Sequence, residues 1–232
     1  MSRMTHLVLL HGALGVSSQL TALADALAPY FHMHRLDFEG HATARDRGRP
    51  FRVAHFVQNV LDLLDDKGIE RASFFGYSMG GYVALALALE HPTRVAKVAT
   101  LGTKFRWDPD TAAREATRLD PATIRAKVPR FADTLEARHQ TAGGWELVLG
   151  RTADFLRDLG AHPTLTDETL GAITHPVRVI VGDRDNTVSV EESTAVSHAL
   201  GAGSLTVLPN TTHPIEQVDV GSLASVLIDF FQ

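Results

Sequence analysis

The sequence predicts an α/β fold: a doubly wound, mainly parallel sheet of about six strands, carrying one helical insertion. Short apolar runs alternate with longer amphipathic stretches, as strand–helix repeats do. The alternation fails only once, between residues 104 and 175. Length and composition also fit one well-packed domain: 232 residues, 44% hydrophobic and 21% charged, with no bias toward disorder or repeats.

Each element follows from its residues. The first apolar run, residues 6–10, ends in His11-Gly12. Similar runs occupy 33–37, 72–76, 95–101, 177–182 and 204–208; most contain β-branched residues and each closes on Gly, Asp, Asn or Pro. That is the pattern of buried parallel strands. Between them Leu20, Leu23 and Leu27 repeat at helical spacing, as do Phe56, Val57, Val60 and Leu64. The segment 79–89 is apolar nearly all round, which predicts a central, buried helix. Ile215, Val218, Leu223, Val226, Leu227 and Phe230 restore the helical period at the C-terminus. Within 104–175 no strand is predicted. Asp108-Pro109 and Asp120-Pro121 read as N-caps followed by proline in the first helical turn. The expected organisation is a core of 1–103 and 176–232 interrupted by a helical segment at 104–175.

Composition excludes several functions. A formal net charge of −5 leaves no basic footprint, so no nucleic-acid partner is expected. Without cysteine there is neither a disulfide nor a thiolate metal site, which fits a reducing compartment. Residues 1–5 lack the apolar core of a signal peptide, and no apolar run is long enough for a membrane span. A cytoplasmic protein acting on a small molecule is expected, and oligomeric state is left open.

The chemistry concentrates at three places. Gly76-Tyr77-Ser78-Met79-Gly80 follows a predicted strand and opens the buried helix. A serine on such a sharp turn projects its hydroxyl above a sheet, and flanking glycines let neighbouring backbone pass closely. Ser78 is therefore the candidate nucleophile, and it needs a base to take its proton. Of twelve histidines, His213 stands just past the last predicted strand, where open α/β sheets assemble sites. His11 and His41 also follow strands, whereas His198 falls inside a predicted helix. The acid should follow the preceding strand, where Asp183 and Asp185 compete. Asp183 sits so near the strand end that it is better placed to hydrogen-bond its own loop; Asp185 is two residues further on.

The order Ser78, Asp185, His213, with His11-Gly12-Ala13-Leu14-Gly15 after the first strand and Gly182-x-x-Asp185 after the fifth, resembles the α/β-hydrolase fold family over essentially the whole chain. The resemblance implies a Ser-Asp-His triad and an oxyanion hole made by the backbone N–H groups of Ala13 and Met79. It also implies that 104–175 is the family's lid and that no metal or organic cofactor is needed. There are two departures from the pattern. Only five residues precede the run at 6–10, so the two N-terminal strands common in the family are not expected. Asp37-Phe38-Glu39-Gly40-His41-Ala42-Thr43-Ala44 resembles a D-x-x-G-H-G-x-S segment with alanine in place of its later Gly and Ser, which puts the tight turn and any role for His41 in question. Asp37 is read as structural. Epoxide hydrolases and dehalogenases of this fold carry Asp where this chain has Ser78. The resemblance thus implies hydrolysis of a carboxylic ester or thioester through an acyl-Ser78 intermediate. C–C bond hydrolysis, perhydrolysis, lyase activity or slow-turnover small-molecule reception with the same triad remain alternatives.

Overall fold

A computed structural model describes residues 4–232; residues 1–3, part of the N-terminal segment considered above, lie outside it. The strands are β1 (His6–Leu10), β2 (His32–Leu36), β3 (Ala72–Tyr77), β4 (Val95–Leu101), β5 (Val177–Gly182) and β6 (Gly203–Leu208). They form one six-stranded sheet in the order β2-β1-β3-β4-β5-β6, and every pairing is parallel. The expected sheet is present, with the second strand shifted one residue toward the N-terminus.

Both faces of the sheet are covered, which is why its strands read as continuous apolar runs. Alternate side chains serve opposite faces. Val8, Leu10 and Phe74 join one core with α2 (Val53–Asp66) and α3 (Met79–Glu90); Leu7, Leu9 and Phe75 join the other with α1 (Thr21–Leu27) and α10 (Val220–Phe231). The remaining core helix, α9 (Val190–Ala199), packs on β5 and β6. Strand β2 differs because it is an edge: His32 and Arg35 are exposed there, and charge on an edge opposes pairing with another chain.

The chain runs from β1 outward to β2 and then returns past β1 to β3. Strand order therefore reverses between β1 and β3, and the crevice beyond the C-terminal ends of those strands is where such sheets bind ligands. The segments placed there are Gly12–Leu14 after β1 and Ser78 after β3.

Between β4 and β5 lie five α-helices and no strand: α4 (Pro109–Thr117), α5 (Pro121–Lys127), α6 (Pro129–His139), α7 (Trp145–Ala161) and α8 (Asp167–Gly171). The two predicted caps form. Asp108 accepts the Thr111 N–H at 2.7 Å, and Asp120 accepts that of Thr123 at 2.7 Å. Ion pairs tie this insertion to the core around its perimeter: Arg138–Glu216 at 2.5 Å, Arg151–Asp46 at 2.7 Å, Arg52–Asp158 at 3.0 Å and Lys104–Glu192 at 3.3 Å. Underneath, the Tyr82 hydroxyl of α3 accepts the Leu165 N–H at 2.9 Å. Among the described residues no helix is long and apolar enough to cross a membrane.

Candidate active site

Ser78 joins β3 to α3 with φ 51° and ψ −117°, a conformation that non-glycine residues rarely adopt and that persists only where the surroundings enforce it. The sequence explains the enforcement. A side chain on Gly76 would begin 2.3 Å from the Gly80 backbone, and one on Gly80 would begin 2.4 Å from the Leu10 carbonyl. With glycine at both places, β3, α3 and β1 close around the turn. The Ser78 N–H donates to the Leu101 carbonyl at 2.8 Å, and the Thr103 hydroxyl donates to the Ser78 carbonyl at 2.9 Å.

His213 lies in the loop after β6 and Asp185 in the loop after β5. Their side chains meet: His213 Nδ1 is 2.8 Å from Asp185 Oδ2, with the carboxylate almost wholly buried and the imidazole part-exposed. The other carboxylate oxygen accepts the N–H groups of Thr187 at 2.8 Å and Val188 at 2.9 Å. Burial pushes this carboxyl's pKa up, but the His213 hydrogen bond and charge and the two N–H groups outweigh it and hold it below the ordinary value. Asp185 is therefore a fixed anion that orients His213. Asp183 points elsewhere. It accepts the Thr211 N–H at 3.1 Å, bracing the neighbouring loop rather than its own.

Ser78 and His213 line one cavity of about 430 Å³, with Ala13, Met79 and Thr187 beside them. The rest of its wall is mostly apolar and comes from Leu14, α3 and the insertion, including Trp107, Leu119, Ile124, Phe131 and Phe155, with Lys104, Glu115 and Arg118 as its charged members. Neither the Ala13 nor the Met79 N–H has a protein partner among the described residues. The Met79 N–H also opens α3, where orphan donors and the helix dipole favour negative charge.

The other candidates are structural. His11 is 1% exposed; its Nε2 accepts the Phe38 N–H at 3.0 Å, so its Nδ1 carries the hydrogen and donates to the Gly12 carbonyl at 2.8 Å. Burial holds its pKa down at about 4, only partly offset by that carbonyl. His41 is fully buried and stacks on Phe51 with ring centroids 5.0 Å apart. Asp37 accepts the Ser17 N–H at 2.6 Å. His198 is exposed on α9. Ala42, in place of glycine, still takes a left-handed conformation with φ 46°, so the tight turn survives the replacement.

A family model described as alpha/beta hydrolase fold matches residues 5–155 of the chain. The chain belongs to the alpha/beta hydrolase fold family. Among its curated relatives, a pimeloyl-(acyl-carrier protein) methyl ester esterase of Pectobacterium carotovorum is 35% identical over 98 residues, covering 42% of this chain and 36% of the relative. The chain spans less than half the length of the curated relatives it matches. Solved structures agree over nearly the whole chain. The enol-lactonase of Burkholderia xenovorans LB400 superposes with a TM-score of 0.76 at 22% identity, covering 99% of this chain and 92% of that one. The 2-hydroxy-6-oxo-6-phenylhexa-2,4-dienoate hydrolase of Rhodococcus sp. strain RHA1 gives 0.79 at 24%, covering 98% and 90%. These likenesses establish the shared fold.

Sequence reasoning about the site missed two residues. Gly102, φ 58°, follows β4 directly beneath the acid–histidine pair; a side chain there would begin 3.1 Å from Asp185 Oδ2 and 3.2 Å from His213 Nδ1. Its signal was a lone glycine closing a strand. His139, on α6, is fully buried and touches the loop after β1; no motif marks it. Of the two tryptophans, both in the insertion, Trp107 lines the cavity, whereas Trp145 is buried against the Arg125 guanidinium, 5.0 Å from its ring.

Proposed function

We propose that this protein is a serine hydrolase that cleaves a carboxylic ester or thioester of a small, largely apolar molecule. One observation carries the reading: the 2.8 Å Asp185–His213 pair opens into the same cavity as Ser78 on its strained strand–helix turn. His213 Nε2 takes the proton of Ser78 Oγ as that oxygen attacks the ester carbonyl, and Asp185 stabilises the imidazolium that forms. The tetrahedral oxyanion receives the N–H groups of Ala13 and Met79, each worth about 3 kcal/mol by mutational precedent. Collapse passes the proton from His213 to the departing alcohol or thiol and leaves an acyl-Ser78 ester. Water, deprotonated by His213, then releases the acid. The insertion 104–175 acts as a cap whose apolar residues hold the acyl or alkyl chain, where each buried methylene contributes about 0.8 kcal/mol.

The test is covalent labelling with a fluorophosphonate together with turnover of p-nitrophenyl esters of graded acyl length. Labelling should map to the peptide holding Ser78, and Ser78→Ala should lower kcat about 10⁴-fold or more with the fold intact. An adduct on another residue would remove Ser78 from the mechanism.

A further inference from the structure

We infer that His139, carried on the inserted helix α6, is a positioning residue that holds the oxyanion loop in its working shape and couples that loop to the cap. The inference rests on the reading of Ala13 as an oxyanion donor. His139 is fully buried, and both of its ring nitrogens are used. Nδ1 accepts the Ala42 N–H at 3.3 Å, so Nδ1 carries no hydrogen. The hydrogen is therefore on Nε2, which donates to the Leu14 carbonyl at 3.1 Å. Leu14 is the residue after Ala13, and its φ of 58° is left-handed, a conformation a leucine keeps only when held.

Two histidines grip this loop from different parts of the molecule. His11, in the core, binds the Gly12 carbonyl; His139 reaches Leu14 from 125 residues away, across the cap boundary. The same end of the cap also holds Ala42, the second left-handed non-glycine residue here: its N–H goes to His139 and its carbonyl accepts the Thr141 hydroxyl at 2.5 Å. The cap thus fixes two strained turns at the C-terminal edge of the sheet. If it lifts, Leu14 loses its restraint and the neighbouring Ala13 N–H loses its aim. An oxyanion donor interacts most strongly with the charge that develops in the transition state, so misaiming it should lower kcat and leave KM nearly unchanged.

Three variants separate positioning from mere packing. In His139→Gln the amide N–H can still donate to Leu14; in His139→Asn the shorter side chain can serve only Ala42; in His139→Leu neither bond survives. With a short-chain p-nitrophenyl ester, His139→Leu and His139→Asn should each lose about 10- to 100-fold in kcat with KM within about twofold, and His139→Gln should recover most of the loss. Melting temperatures are recorded for all three. Wild-type kcat in His139→Leu, or kcat values that follow melting temperature rather than the Leu14 bond, would overturn the inference. If His139→Leu does not fold, the Gln and Asn variants decide between the same outcomes. Fluorophosphonate labelling of the wild type keeps the two failures apart. Labelling at Ser78 with unaffected His139 variants sinks only the positioning role, whereas wild type unlabelled at Ser78 sinks the nucleophile reading and this inference with it.

Discussion

A serine held at φ 51° costs the fold about 1–3 kcal/mol, and the turn is kept because glycines on both sides leave no room for it to relax. That much is legible in the sequence, since Gly76-x-Ser78-x-Gly80 between an apolar run and an apolar helix names the strand, the turn and the helix together. Asp185 was legible by position, two residues beyond the first aspartate of its loop. Asp185→Asn would keep the shape but remove the charge that orients His213, and kcat should fall about 10⁴-fold by analogy with other triads. Asp183→Asn should leave kcat within a few-fold and lower the melting temperature instead, because it holds the Thr211 N–H. Steady-state kinetics and thermal melts on both variants check the pair; a dead Asp183→Asn beside an active Asp185→Asn would reverse the assignment. His139 was not legible. Its partners are 97 and 125 residues away, and no local period records such a contact.

At the scale of elements, the strands were legible because a parallel strand covered on both faces must be apolar along its whole length. The shift at β2 has the same cause in reverse: an exposed edge constrains its ends less. The capped helices of the insertion were legible from Asp-Pro pairs, since a cap is a local hydrogen bond. How those helices dock was not, because an amphipathic face shows that a partner exists without naming it. The contact between α3 and β1 is one of backbone against backbone. An added methyl on Gly80 would lie 2.4 Å from the Leu10 carbonyl and 2.7 Å from that of His11. Since backbone cannot swing aside as a side chain can, Gly80→Ala should push α3 off β1 and cost about 3 kcal/mol or more, at the upper end of overpacking. Chemical denaturation measures that loss. Slower labelling of Ser78 in the folded fraction should accompany it; native stability would show that the helix shifts freely.

Across the whole molecule, three histidines, His11, His41 and His139, are buried at the junction of sheet, β2 loop and cap, with His41 ring centroids 5.2 Å from His11 and 5.8 Å from His139. Burial lowers the pKa of each, that of His11 to about 4. Unfolded, each would bind a proton near pH 6.5. Between there and pH 4 the unfolded chain holds the extra protons, so stability falls as pH falls. His11 alone should contribute about 3 kcal/mol of that decline. The carboxyls of Asp185 and Glu39, held below their ordinary values, give stability that is present at neutral pH and lost in acid, so they extend the decline in the same direction. Melting temperature should therefore drop steadily from pH 6.5 to pH 4; a flat profile would mean that these rings are protonated in the folded protein. The cap's perimeter adds another dependence. Its ion pairs with the core are part-exposed, with side-chain accessibilities of 19% and 48% for Arg138 and Glu216 and 24% and 37% for Arg151 and Asp46, whereas the His139 bonds lie out of water. At 1 M salt the screening length shrinks to about 3 Å, which weakens the perimeter and spares the buried contacts. Ionic strength then becomes a handle on traffic rather than on chemistry. If the insertion acts as the proposed lid, bulky esters should gain in kcat/KM as salt rises, while kcat for the smallest ester stays constant.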